Sequence, residues 1–279
     1  MRRSLALVAS LAALAAARAQ PFLFERITTA DGLAGDEVFA LLEDREGFIW
    51  AGTATGLSRW EGTRIRNFHH DPADSATLGH DQVNSIAEDA AGNLWLATMN
   101  GVSRFDRSRG AFRTFRIAAT GNNAVQANRI QQVVAVGDSI VWTLTENGLY
   151  RFHTRAGRFI SVQAQPPGKG PSGYCRSRNA LHWDPERMVL WAATDDGLSA
   201  WDARSDSWHD RRNPAVQGPW SMRGEVTAPI VHNGTLWFFT DEGLQHWAFR
   251  LETGTLEPQP SLVPGGNTFN LQWQAFDAD

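Results

Sequence analysis

Leu94-Trp95-Leu96-Ala97-Thr98-Met99-Asn100-Gly101-Val102-Ser103-Arg104-Phe105 decides the fold, because its punctuation occurs five times along the chain. A tryptophan opens each copy: Trp50, Trp95, Trp142, Trp191 and Trp237, at separations of 45 to 49 residues. Threonine follows three positions later (Thr53, Thr98, Thr145, Thr194, Thr240) and glycine six positions later (Gly56, Gly101, Gly148, Gly197, Gly243). Leu57, Val102, Leu149, Leu198 and Leu244 come next, and Trp60, Phe105, Phe152, Trp201 and Trp247 stand ten positions after each tryptophan. Self-similarity at a fixed period of this length is the mark of a repeat architecture.

Each unit reads as four short strands. In the second, Gln82–Glu88 alternates apolar and polar, Asp89–Asn93 is a turn, and Leu94–Thr98 is a second strand. Met99-Asn100-Gly101 then turns the chain into Val102–Asp106, and Ala111–Arg116 is the fourth strand. The glycine fits a hairpin position that requires positive φ. Four strands in one unit of this length make a propeller blade, so the expected fold is an all-β propeller of four-stranded antiparallel blades. The blades are expected over 34–70, 80–117, 128–163, 179–212 and 224–258, with 268–279 the beginning of a sixth. The leading tryptophans and their partner aromatics read as core sealed between blade faces. Aromatics outside the period, Tyr174, Trp183, Trp208 and Trp220, are the better ligand candidates.

The flanks and composition narrow the function. Met1–Gln20 has Arg2 and Arg3, an apolar run over Ser4–Ala17 and the small-x-small sequence Ala17-Arg18-Ala19, which reads as a secretory signal over 1–19. The formal charge of −4 becomes −7 without Arg2, Arg3 and Arg18, which argues against a nucleic-acid partner. Cys175 is the single cysteine, so an intramolecular disulfide and a cysteine zinc cage are excluded, and a silent thiol is expected.

Thr28-Thr29-Ala30-Asp31-Gly32-Leu33, Val38–Asp44, Gly47-Phe48-Ile49-Trp50-Ala51-Gly52-Thr53 and Gly56-Leu57-Ser58-Arg59-Trp60 resemble the two-component regulator propeller repeats. The second unit is similar in Val83-Asn84-Ser85-Ile86, Glu88-Asp89, Gly92, Leu94-Trp95 and Thr98, whereas units three to five lose most of the Glu-Asp-x-x-Gly turn. The resemblance implies the periplasmic sensor of a histidine kinase, hybrid two-component system or diguanylate cyclase. It implies a small-molecule or oligosaccharide ligand, output through a membrane helix and cytoplasmic domain that follow, and a dimer in the full receptor. No enzymatic activity, cofactor or metal is expected of this segment. Phe24-Glu25-Arg26-Ile27 reads as an orphan outer strand and Asn270–Asp279 as an inner strand that stops in mid-blade, so the chain reads as a fragment lacking further blades.

A ligand is expected on the face where the turns between second and third strands meet the inter-blade connections. The candidates are His69, His70, Asn100, Glu146, Asn147, Tyr174, Arg176, Asp195, Asp196, Trp220, Asp241 and Glu242. Acid in three of the five turns favours a neutral or cationic ligand. Two readings compete: a metal site built from His69, His70, Asp71, Asp74, His80 and Asp81, and a propeller enzyme using paired carboxylates among Asp195, Asp196, Asp241 and Glu242. The first is weakened because adjacent histidines rarely converge on one ion, the second because acids favour turns on their own account. A secreted propeller that binds protein or carbohydrate is the remaining alternative.

Overall fold

The structure is a computed structural model and describes residues 26–121, 123–162, 169–175, 177–214, 218–219, 221–240 and 245–259. Twenty strands form five four-stranded antiparallel sheets, each in simple sequence order. Blade 1 is β1 (Val38–Glu43), β2 (Ile49–Thr53), β3 (Leu57–Trp60) and β4 (Ile65–Phe68). Blade 2 is β5 (Val83–Glu88), β6 (Leu94–Thr98), β7 (Gly101–Asp106) and β8 (Ala111–Phe115). Blade 3 is β9 (Ile130–Val136), β10 (Ile140–Thr145), β11 (Gly148–His153) and β12 (Arg158–Ser161), preceded by the short helix α1 (Asn123–Asn128). Blade 4 is β13 (Leu181–Asp184), β14 (Val189–Thr194), β15 (Gly197–Asp202) and β16 (Ser207–His209). Blade 5 is β17 (Val226–His232), β18 (Thr235–Thr240), β19 (Gln245–Arg250) and β20 (Thr255–Pro258). The five sheets run over 38–68, 83–115, 130–161, 181–209 and 226–258. The signal segment, the Phe24-Glu25 end of the orphan strand and residues 268–279 lie outside the described residues.

Inner strands lie side by side in chain order, β1 by β5, β5 by β9, β9 by β13 and β13 by β17. Side-chain amides tie them across the seams. Asn84 Nδ2 donates to the Ile130 carbonyl at 2.7 Å, and Gln132 both donates to the Leu181 carbonyl at 2.8 Å and accepts from its N–H at 2.9 Å. These bonds satisfy strand groups that the next blade could otherwise leave unpaired.

The first three seams share one packing rule: the tryptophan of a blade faces the following blade and meets the aromatic ten positions after that blade's own tryptophan. Ring centroids are 5.4 Å apart for Trp50 and Phe105, 5.6 Å for Trp95 and Phe152, and 4.9 Å for Trp142 and Trp201. Trp191 joins Leu236, Phe238 and Phe249 of blade 5 in one core cluster. Trp50, Trp95, Trp142 and Trp191 are at most 1% exposed. Trp237 is half-buried.

A buried indole also needs an acceptor. Asp44 accepts from Trp50 Nε1 at 2.6 Å, and Asp89 accepts from Trp95 Nε1 at 2.8 Å, each aspartate lying six residues before its tryptophan. Asp44 Oδ1 also receives the N–H groups of Glu46 and Phe48, at 2.9 and 3.0 Å, so one carboxylate closes the turn and anchors the indole. Arg107 of blade 2 reaches Asp44 of blade 1 at 3.0 Å and Glu88 at 3.2 Å, extending the network across the seam. Burial opposes ionisation of Asp44, but the bonds from Trp50, Phe48 and Arg107 prevail and hold its carboxyl below the usual range.

The threonine and glycine marks have one explanation. Thr98 Oγ1 donates to the Gly101 carbonyl at 2.7 Å and accepts from Asn100 N–H at 3.2 Å, fixing the tight turn between strands two and three. Thr53, Thr145 and Thr194 make the same carbonyl bond at 2.9, 3.0 and 2.7 Å. Gly101 has φ of 106°, and a Cβ there would stand 2.6 Å from the Phe115 carbonyl oxygen. Gly197 is similar, with φ of 98° and the Met222 carbonyl oxygen 2.7 Å from the position of a Cβ.

Two stability outcomes follow from these turns. Gly101→Val should cost more than about 1 kcal/mol in urea denaturation, from positive φ and steric contact together. Asp44→Ala should cost about 1–3 kcal/mol at neutral pH by orphaning a buried indole N–H and turn amides. Because the folded carboxyl has a lowered pKa, its contribution is present above the unfolded value and is lost as pH falls through the folded one. The difference between wild type and Asp44→Ala should therefore narrow in acid, read as converging denaturation midpoints.

Candidate functional site

The turns between second and third strands do share a face with the blade connections. Thr55 Oγ1 donates to the Ala34 carbonyl at 2.6 Å, Asn100 Nδ2 to the Gly79 carbonyl at 3.2 Å, and Tyr174 N–H to Asp195 Oδ1 at 2.8 Å. On that face most of the expected residues are engaged within the protein. Glu146 is paired with Arg129 at 3.3 Å, and Asp196 with Arg211 at 2.7 Å. Asn100 Oδ1 accepts from Arg116 at 3.1 Å, and the Asn147 N–H is bound to Thr145 Oγ1 at 3.0 Å. Local arginines thus balance Glu146 and Asp196 among the carboxylates of the acidic turns. Tyr174 remains 48% exposed there. Arg176, Trp220, Asp241, Glu242 and Gly243 lie outside the described residues.

The histidine-rich connection is a self-bonded linker. His69 Nδ1 lies 3.0 Å from the Thr55 carbonyl oxygen, and His70 Nδ1 2.5 Å from that of Leu78. Asp81 accepts the His70 N–H at 2.7 Å, while Asp71 and Asp74 accept turn amides at 2.8 Å. No group of three or more His, Cys, Asp or Glu converges for a metal among the described residues. One aromatic set apart as a ligand candidate is core instead: Trp208 is 2% exposed and stands edge-on to Trp142 at 5.4 Å. Trp183, on the inner strand β13, is partly buried and packs against the same cluster. Cys175 is buried, and burial pushes its thiol pKa up to about 12, which leaves it protonated and unreactive.

Sequence reasoning missed the cavity. A space of about 660 Å³ opens on the axis, bordered by Asn84, Ser85, Gln132, Asn179 and His182 and, on an apolar side, by Phe39, Leu41, Ile86, Ile230, Trp237 and Phe239. None of the described residues lining it is Asp, Glu, Lys or Arg. The signal available in the sequence was the polar half of the inner strands, whose alternation places Ser85 and Gln132 towards the axis, but alternation does not tell axis from seam. His182 sits on β13 opposite Trp191, and burial lowers its pKa to about 4 against a smaller upward pull from Asp184. It is thus neutral at physiological pH, and with His232 and His246 the wall offers amides, a hydroxyl and three imidazoles.

A folded His182 with a lowered pKa stabilises the protein fully above the unfolded histidine value of about 6.5, and that stability is lost as pH falls towards the folded value. His182→Gln should accordingly flatten the decline in thermal midpoint between neutral pH and pH near 4. An unchanged slope would show that His182 is not held neutral.

Comparison with known proteins agrees with this architecture. Residues 32–55 and 77–100 match the family model described as two component regulator propeller, covering the inner strand, the aspartate turn and the tryptophan strand of blades 1 and 2. A histidine kinase, P4, of Formosa agariphila is 32% identical over 57 residues, which is 20% of this chain and 4% of that protein. The extracellular domain of a protein described as a hybrid two component system of B. thetaiotaomicron superposes with a TM-score of 0.52 at 16% identity, over 90% of this chain and 38% of that one. PorZ, a bacterial surface component of the type-IX secretion system of Porphyromonas gingivalis, gives 0.57 at 15% identity, over 81% of this chain and 34% of that one. A chain of the nidogen/laminin complex gives 0.51 at 10% identity, covering 78% of each. At these identities the solved structures establish the propeller fold. The chain spans little more than a third of the two bacterial ones.

Proposed function

We propose that this chain, a two-component regulator propeller, is the ligand-sensing part of an exported bacterial signal-transduction receptor, and that it recognises an uncharged solute at the axial cavity. The observation that carries the ligand reading is the cavity wall: polar groups able to hydrogen-bond, apolar surface beside them, and no Asp, Glu, Lys or Arg among the described residues lining it. Amides with apolar flanks bind neutral polyfunctional solutes, because each polar contact is directional and no charge is desolvated. The relatives named as a histidine kinase and as an extracellular domain of a two-component system support the receptor context. Export rests on the charged, apolar and small-x-small order of residues 1–20. No described helix is long and apolar enough to cross a membrane. The segment itself is read as non-enzymatic: Asp196, a described carboxylate of the competing enzyme reading, is neutralised by Arg211.

The reading is tested by thermal-shift titration with neutral and anionic oligosaccharides of matched size, on wild type and on Asn179→Ala and Gln132→Ala. Neutral compounds should raise the midpoint, anionic ones should not, and either substitution should weaken the response at least tenfold, equivalent to about 1.4 kcal/mol. A response to anions only, or one that both substitutions leave intact, would overturn the assignment of the cavity.

A further inference from the structure

The polar groups that blades 2 to 4 and their connections bring to the axial cavity are not equally available. Asn84 spends its amide on its neighbours, accepting from Gln82 Nε2 at 2.9 Å and donating to the Ile130 carbonyl at 2.7 Å. Ser85 Oγ accepts from the Val133 N–H at 3.3 Å. Gln132 spends both ends of its amide on the N–H and carbonyl of Leu181. Asn179 and His182 border the same space, and their side chains make no hydrogen bond among the described residues.

These two unspent groups stand on a segment fixed from both sides. Between them, Ala180 and Leu181 are 0% and 4% exposed. The Ala180 carbonyl accepts from the Ala193 N–H at 2.8 Å, Leu181 is held by Gln132 of blade 3, and His182 pairs with Trp191 in β14. Just before them, Arg178 lays its guanidinium over the ring of Phe39 in β1, 5.3 Å from the centroid. A polar side chain whose backbone is already pinned loses little freedom on meeting a partner, which is the condition for a preorganised binding group.

We infer that Asn179 and His182 are the residues that read the bound solute, and that Gln132 acts on it only through Leu181, as a positioning residue. An amide carries two donor hydrogens and an acceptor, and a neutral imidazole one donor and one acceptor nitrogen. Together they distinguish a hydroxyl from a hydrogen at two separate points of a polyhydroxylated solute, because a solute that lacks either hydroxyl leaves a wall group unpaired away from water. Asn84, with its bonds already made, holds the seam between blades 2 and 3. The inference rests on the proposed binding of an uncharged solute at the axial cavity and adds which groups decide its selectivity.

Calorimetric titration of the full chain with a panel of neutral trisaccharides, and with the monodeoxy analogues of each one that binds, is the test. Wild type should prefer a parent trisaccharide to two of its deoxy analogues by about tenfold or more, the effect of one hydrogen bond lost with its partner left unpaired. Asn179→Ala should lose one of those preferences and His182→Leu the other, because the partner of the missing hydroxyl is then absent for parent and analogue alike. Gln132→Ala should bind every compound more weakly and keep both preferences. Asn179 lies in the connection before β13, so its substitution carries the test even where His182→Leu fails to fold. Both preferences surviving in Asn179→Ala, either one vanishing in Gln132→Ala, or a wild type that binds without preference overturns the inference and leaves the cavity reading in place. A wild type that binds none of the trisaccharides overturns both.

Discussion

An indole sealed between two sheets is the interaction on which the structure depends. One four-stranded blade has two apolar faces and cannot bury either alone, so each is stable only through its neighbours. Tryptophan suits that role because it carries the largest apolar surface of any side chain, yet its N–H must find an acceptor when water is excluded. In blades 1 and 2 an aspartate six residues upstream supplies the acceptor and closes the preceding turn with the same carboxylate. Local turn chemistry and long-range packing are thus satisfied by one group.

Blades 3 to 5 solve the problem differently. Val136, Pro185 and Val231 stand where that aspartate would be, and Trp142 Nε1 has no hydrogen-bond partner among the described residues. An unsatisfied buried donor costs about 1–3 kcal/mol. Against that cost stand Trp201 and Trp208, both packed edge-on to Trp142, and Arg151 over its ring face at 5.9 Å. Around Trp142 two indoles stand where Trp50 and Trp95 each meet two phenyl rings. Loss of the aspartate turn accompanies the end of the recognisable repeat pattern after the second blade, while the blade geometry continues.

Polar turn residues illustrate how little an isolated residue type says about function. Glu146 and Asp196 look available in the sequence, but arginines from other turns and connections hold them. The same holds for His69 and His70, whose rings are bound to carbonyls within the linker and the adjacent turn. The surface left with polar groups and no formal charge is the axis, where the inner strands of separate blades converge.

The sequence by itself determined the repeat, the four strands of each blade and the turn glycines, because these are dictated by spacing, alternation and the sign of φ within about a dozen residues. It also pointed to the tryptophans as core, since a fixed period of large apolar side chains is a packing pattern. Only the tertiary structure decided which blade covers which indole, that Trp208 is core, that arginines hold Glu146 and Asp196, and that a cavity lined by the inner strands lies on the axis. Each of those depends on residues tens of positions apart meeting across a seam, and alternation along one strand assigns a side chain to a face without saying what stands opposite.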